Sequence, residues 1–186
     1  MNLLQSGNTK LGKHQVMFNI PATTEICGQI CKGCYAEREQ RRFPSVLQVR
    51  TDRYLASLSP TFVSQISAEL TAMKKPPKFV RIHASGEFYS EQYLDKWTQI
   101  ALTFPTITFY AFTKMLSKLD FSTLMSLPNV VIINSLQNGK INYGKTPPAG
   151  MFVCPATSSA IQCGIDCTWC MTKNCADLHG VWFIQH

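Results

Sequence analysis

Cys27, Cys31 and Cys34 place three thiols at C-x3-C-x2-C spacing, with Gly28 and Gly33 between them. Three soft thiolates in one short turn can surround a cubane of iron and sulfide, which needs deprotonated sulfur donors held close together. Three ligands leave the fourth iron of a 4Fe–4S cluster open to a small molecule or water. The competing readings are buried thiols, a disulfide, or a zinc site that would take a fourth ligand from elsewhere.

A second group follows at Cys154, Cys163, Cys167, Cys170 and Cys175, and its middle three members repeat the first spacing. Cys154, Cys163, Cys167 and Cys170 are the expected ligands, with Cys175 as substitute, around a second cluster or a structural zinc. One of them could instead complete the first cluster. Trp169, between Cys167 and Cys170, is read as a shield that keeps water from a cluster and tunes its potential.

The chain has 186 residues, 45% of them hydrophobic, enough for a real core, so its eight cysteines are not needed as staples. No run is apolar for long enough to span a bilayer, and residues 1–13 lack the pattern of a secretory signal. The expectation is a cytoplasmic protein with reduced thiols, in which metal binding is the first explanation for the cysteines. Lys and Arg number 18 against 11 Asp and Glu, giving +7. Such an excess can attract nucleic acid, but the basic residues are dispersed apart from Arg38, Arg41 and Arg42 and the pair Lys74–Lys75. Nucleic acid therefore stays a minor expectation.

The elements that must position these motifs alternate between strand and helix. Strands are expected at residues 15–20 (QVMFNI), 79–82 (FVRI), 106–112 and 130–133 (VVII). Helical spacing runs through 35–42, 46–58 and 60–74, the last with Phe62, Ile66 and Leu70 on one face. Ser90 is a candidate N-cap for a helix over 91–102, and another is expected over 116–126. Apolar strands separated by helices imply a parallel sheet covered on both faces. The fold class is thus α/β, a partial (β/α) barrel or an open parallel sheet. Residues 1–150 would form this core and residues 151–186 a small cysteine-rich lobe, joined by a linker over 139–150, with a last strand at 181–184.

In such sheets ligands collect at the carboxyl ends of the strands. The first strand leads to the Cys27 loop, the second to Ala84, Ser85, Gly86 and Glu87, the third to Thr113 and Lys114, and the fourth to Asn134 and Ser135. All four segments should converge on one site. Glu87 can accept charge-assisted hydrogen bonds from an ammonium group, and Gly86 would let backbone approach a ligand closely. The plainer reading of the pair is a βα turn whose Glu sits near a helix N-terminus. His83 is read as a satisfied core histidine ahead of a ligand. Trp97, Phe104 and Phe109 are assigned to the core, with Tyr110 and Phe112 on the opposite face of their strand.

The segment CGQICKGCY at 27–35 resembles the signature of the radical S-adenosylmethionine (SAM) superfamily, found after the first strand of a partial (β/α) barrel. ASGE at 84–87 is similar to that superfamily's GGE segment. More closely, C-x2-CYA at 31–36, RIHASGEF at 81–88, FYAFTK at 109–114 and the CP followed by clustered cysteines from Cys154 resemble the gene-product-eighty-eight family of bacteriophage proteins. The resemblance implies a 4Fe–4S cluster on Cys27, Cys31 and Cys34, with SAM as cofactor. Ser85, Gly86 and Glu87 would hold the methionine amino group, while Thr113, Lys114 and Ser135 touch the cofactor at later strand ends. Tyr35 supplies the aromatic residue, one place beyond the last cysteine. A ferredoxin- or flavodoxin-like reductant would be the partner, in the host cytoplasm. Two functions follow: a radical SAM-type enzyme of unknown substrate, or a non-catalytic iron–sulfur protein serving electron transfer, redox sensing or phage structure. A zinc-bearing nucleic-acid binder is the third.

Overall fold

The computed structural model describes residues 2–6, 15–28, 34–137, 140–141, 143–144, 152–153 and 181–184. Its sheet contains β1 (Gln5–Ser6), β2 (Gln15–Phe18), β3 (Phe79–Ile82), β4 (Thr108–Thr113) and β5 (Val130–Asn134), hydrogen-bonded in that order. Strands β2 to β5 are parallel and β1 is an antiparallel edge. The sheet is open at β1 and β5 among the described residues.

The helices are α1 (Thr24–Cys27), α2 (Tyr35–Arg42), α3 (Pro44–Leu58), α4 (Phe62–Ala72), α5 (Glu91–Thr103) and α6 (Ser122–Ser126). Their sequences explain their limits. Pro44 opens α3 at a position where a missing N–H costs nothing. In α4, Phe62, Ile66 and Leu70 recur every fourth residue and form its buried stripe. Ser90 caps α5 as expected, its Oγ accepting from Tyr93 N at 3.2 Å.

Strand alternation divides the sheet into two unlike faces. Val16, Phe18, Val80, Ile82, Phe109, Ala111 and Ile132 share one buried cluster with α4, α5 and α6, centred on Phe62 and Trp97. Phe18 and Phe62 both meet the Trp97 ring edge-on at 5.6 Å. Removing a buried ring of this size costs about 3–5 kcal/mol. The other face carries Gln15, Met17, Arg81, Tyr110, Phe112, Val131 and Ile133, so Tyr110 and Phe112 lie opposite Phe109, as their spacing implied.

Several expectations need correction. The sheet is covered on both faces, as expected, since Met17, Tyr110, Val131 and Ile133 are buried as fully as Phe18 and Ile82, but among the described residues the buried side chains of α1, α4, α5 and α6 all belong to one face. Right-handed crossovers between neighbouring strands keep each helix on the same side. Only Ser122–Ser126 of the 116–126 helix is helical; residues 116–118 form a single turn, closed by Lys118 N and Leu119 N donating to Met115 O at 2.8 and 3.0 Å. Strand β1 was missed. The Glu69 carboxylate supports it, accepting from Leu3 N at 2.6 Å and Leu4 N at 2.8 Å. The linker region contains β7 (Lys140–Ile141), paired with β6 (Leu136–Gln137), and β8 (Tyr143–Gly144). The last strand is present: β10 (Val181–Ile184) lies parallel between β8 and β9 (Phe152–Val153). The cysteine-rich stretch expected over 154–175 lies outside the described residues.

Candidate functional site

The carboxyl end of β2 is built by short-range chemistry. Asn19 is buried, and its Oδ1 accepts from Ala84 N at 2.7 Å and Ser85 N at 3.1 Å. Ile20 N donates to Ser85 O at 3.1 Å, and Ser85 Oγ donates to Ile20 O at 3.0 Å. The β2 and β3 strand ends are thereby locked together. Gly86, at φ +89°, completes the lock: a Cβ there would overlap Ile20 Cγ1 and lie 3.0 Å from Ile20 O. The close approach that needs glycine is therefore to Ile20.

Beyond this lock the chain enters the cysteine segment. Thr23 caps α1 by accepting from Ile26 N at 3.4 Å, and Gly28 ends the helix in the left-handed conformation at φ +69°. Cys27 is the last residue of α1, and Cys34 is the N-cap of α2; both are half-buried. Cys31, with residues 29–33, lies outside the described residues, as do Cys154, Cys163, Cys167, Cys170 and Cys175.

Both ends of the segment are tied to the sheet. Gln40 of α2 is buried, and its amide makes two bonds with Ala22: Ala22 N donates to Oε1 at 3.1 Å, and Nε2 donates to Ala22 O at 2.9 Å. The side-chain amide thus stands in for a neighbouring strand. The Tyr35 hydroxyl donates to Ala84 O, connecting the start of α2 to the end of β3. Lys118 Nζ reaches the Gly28 backbone, where a Cβ would come within 2.9 Å of it. The two described ends of the cysteine segment, at Gly28 and Tyr35, therefore sit beside the loops that follow β4 and β3. Asn19 and Gln40 had no motif to reveal them; only their lack of exposure marks them.

Glu87 is buried at the same end of the sheet, 3% exposed. Thr113 Oγ1 donates to its Oε2 at 2.7 Å, Lys114 N donates to Oε1 at 3.1 Å, and Lys114 Nζ lies 3.5 Å from Oε1. Burial pushes the Glu87 carboxyl above its usual range, and the Lys114 charge and these donors pull it only part of the way back. Ser135 N donates to Thr113 O at 2.8 Å, placing Ser135 beside the same residues. The structure therefore brings together Glu87, Thr113, Lys114 and Ser135, with Ser85, Gly86 and Tyr35 joined through Ile20 and Ala84.

His83 belongs to the core. Its φ of +63° breaks the alternation that would set it beside Arg81, and the ring packs among Phe18, Phe88 and Tyr93. Nε2 lies 2.8 Å from Tyr93 Oη, while Nδ1 has no hydrogen-bond partner among the described residues. Burial first, and the nearby Arg81 charge second, hold its pKa down to about 3, so the ring is neutral.

Cys27 and Cys34, which flank residues 29–33, are half-buried soft donors, a donor type that fits iron and sulfide. Among the described residues no group of three or more His, Cys, Asp or Glu side chains gathers. Only two cysteines are among them. No helix among the described residues is long and apolar enough to cross a membrane.

A family model described as Gene product 88 matches residues 2–150, a span that contains Cys27, Cys31, Cys34, Glu87, Thr113, Lys114 and Ser135 and ends before Cys154. The Gene 88 protein of Mycobacterium phage D29 is 24% identical over 135 residues, covering 69% of this chain and 56% of that protein. The Gene 88 protein of Mycobacterium phage L5 is 25% identical over the same length and shares. The chain thus spans a little over half the length of these curated relatives. No solved structure matches it.

Proposed function

This chain belongs to the Gene product 88 family, and on that premise we propose that it is an iron–sulfur protein acting as a radical SAM-type phage enzyme. Cys27, Cys31 and Cys34 hold a 4Fe–4S cluster in this reading. The observation that carries it is the placement of Cys27 and Cys34 at the carboxyl end of β2, beside the strand ends bearing Glu87, Thr113 and Lys114. Consecutive parallel strands with helices on one side make up part of a (β/α) barrel, and ligands of such folds bind at these ends.

When bound, the cluster supplies the electron that cleaves SAM. The protein's own residues have separable tasks. Gln40 and Tyr35 fix α2 against the sheet, so that Cys34 and Cys27 keep a defined relation. Glu87 accepts from the amino group of SAM, which must share or displace Lys114 Nζ. Ser135 and the backbone around Thr113 border the cofactor. The C-terminal cysteines hold a second cluster or a zinc, and a ferredoxin- or flavodoxin-like donor in the host cytoplasm supplies reducing equivalents.

A second reading has its own support. Both oxygens of Glu87 already have donors, which suits a non-catalytic iron–sulfur protein with a closed, structural strand-end network. Anaerobic purification with iron, sulfide and zinc quantified per chain tests what the two readings share. Iron and sulfide at about four each per cluster are expected, whereas zinc without sulfide overturns both. A change in the EPR signal of the reduced protein on adding SAM, with deoxyadenosine formed, separates the first reading from the second.

A further inference from the structure

Arg81 is the odd residue of the sheet. It sits in the middle of β3, on the face away from the helix-side core, level with Met17, Tyr110 and Val131. Those three neighbours are buried, at 4%, 1% and 3% exposure, and Arg81 itself is half-buried. Arginine in such a place normally has a carboxylate. None of the strand residues on this face is acidic. Glu87 is engaged with Thr113 and Lys114. The Arg81 guanidinium has no hydrogen-bond or ion-pair partner among the described residues, and its Nε is fully shielded from water.

The guanidinium is nevertheless held in place. Its carbon lies 5.4 Å from the centroid of the Phe112 ring, a cation–π contact. Phe112 stands one same-face position beyond Tyr110 on β4, so the Arg81 head leans toward the carboxyl ends of the strands. The Tyr110 hydroxyl is turned the other way, donating to Gln15 Oε1 at 2.6 Å. The left-handed backbone at His83 swings that ring into the helix-side core and keeps it off this face. What results is a fixed fork of N–H donors on a dry aromatic shelf, aimed at the end of the sheet where the site lies.

We infer that Arg81 anchors an oxyanion, a carboxylate or phosphate group, of the small molecule on which this protein acts. Guanidinium matches either group through two parallel N–H···O bonds, and a water-poor setting strengthens the pairing. A half-buried head on a sheet face is within reach of a small molecule and poorly placed for the backbone of a polymer. The inference stands on the Arg81 geometry and does not require the metal cluster.

Thermal shift and calorimetric titration of the full chain with inorganic phosphate and with succinate test it. At least one probe should stabilise the protein saturably, and the two arms distinguish phosphate from carboxylate. Arg81→Met, which keeps the apolar stem, should weaken that binding about tenfold or more, the order expected when a charge-assisted pair is lost. Arg81→Lys should recover part of it. No saturable effect of either probe on the wild type, or equal binding by Arg81→Met, overturns the inference. So does a single-stranded oligonucleotide binding through Arg81 where neither small anion does. Should the variants not fold, phenylglyoxal modification of the wild type, mapped by mass at Arg81, must be slowed by the stabilising anion; an unprotected Arg81 overturns the inference equally.

Discussion

The hydroxyl of Thr113 donates to Glu87 Oε2 at 2.7 Å across 26 residues of sequence, joining the end of β4 to the loop after β3. The same Oγ1 accepts from Met115 N at 3.0 Å, so one side chain serves both the carboxylate and its own turn. Thr113→Val keeps the shape and removes both bonds. A buried carboxylate left one donor short should cost about 1–3 kcal/mol, read as a lower midpoint in urea with the slope unchanged. A midpoint matching wild type would show that the network contributes nothing to stability.

Cys31→Ala tests the ligand assignment directly. The variant should lose the visible absorption of the N-terminal cluster and the corresponding iron and sulfide. An unaltered spectrum and metal content would remove Cys31 from the ligand set.

Glu87→Gln retains the acceptor for Thr113 and removes the charge facing Lys114 Nζ. Cluster absorption should be unaffected while SAM affinity falls, by about tenfold if a charge-assisted bond is lost. Equal affinity for SAM in the two proteins would falsify the role given to Glu87.

His83 makes stability depend on pH. Its folded pKa of about 3 lies below the ordinary 6.5, so the unfolded chain binds more protons between those values. Its contribution is complete above about pH 6.5 and is lost as pH falls toward 3. The slope is about 1.4 kcal/mol per pH unit, or roughly 2–3 kcal/mol between pH 6.5 and 4.5. His83→Asn tolerates the left-handed backbone and cannot titrate there. Its unfolding free energy, though lower at pH 7, should decline less steeply on acidification, and parallel profiles would contradict a neutral buried His83.

Gly86→Ala should destabilise the protein by more than about 2 kcal/mol. A left-handed backbone costs roughly 1–2 kcal/mol with a side chain, and the new methyl meets Ile20. Because Gly86 faces Ile20, loss of stability should precede any loss of ligand binding. A variant as stable as wild type that fails to bind ligand would reverse that order.

Much of this molecule was legible in one dimension. The strands at 79–82 and 130–133, the stripe Phe62, Ile66 and Leu70, and the Ser90 cap follow from local rules of alternation, helical period and hydrogen bonding. The convergence of Glu87, Thr113, Lys114 and Ser135 was legible too, since parallel strands with right-handed crossovers bring all their carboxyl ends to one edge. Tertiary structure alone decided how those groups are spent. That Glu87 is occupied by Lys114, that Gly86 makes room for Ile20, that Gln40 stands in for a strand beside Ala22, and that Arg81 has no counter-charge among the described residues all depend on distances between residues far apart in the chain. Sequence order sets which residues reach the same edge; only packing sets which donor meets which acceptor there, because each such choice is made among groups that local rules treat alike.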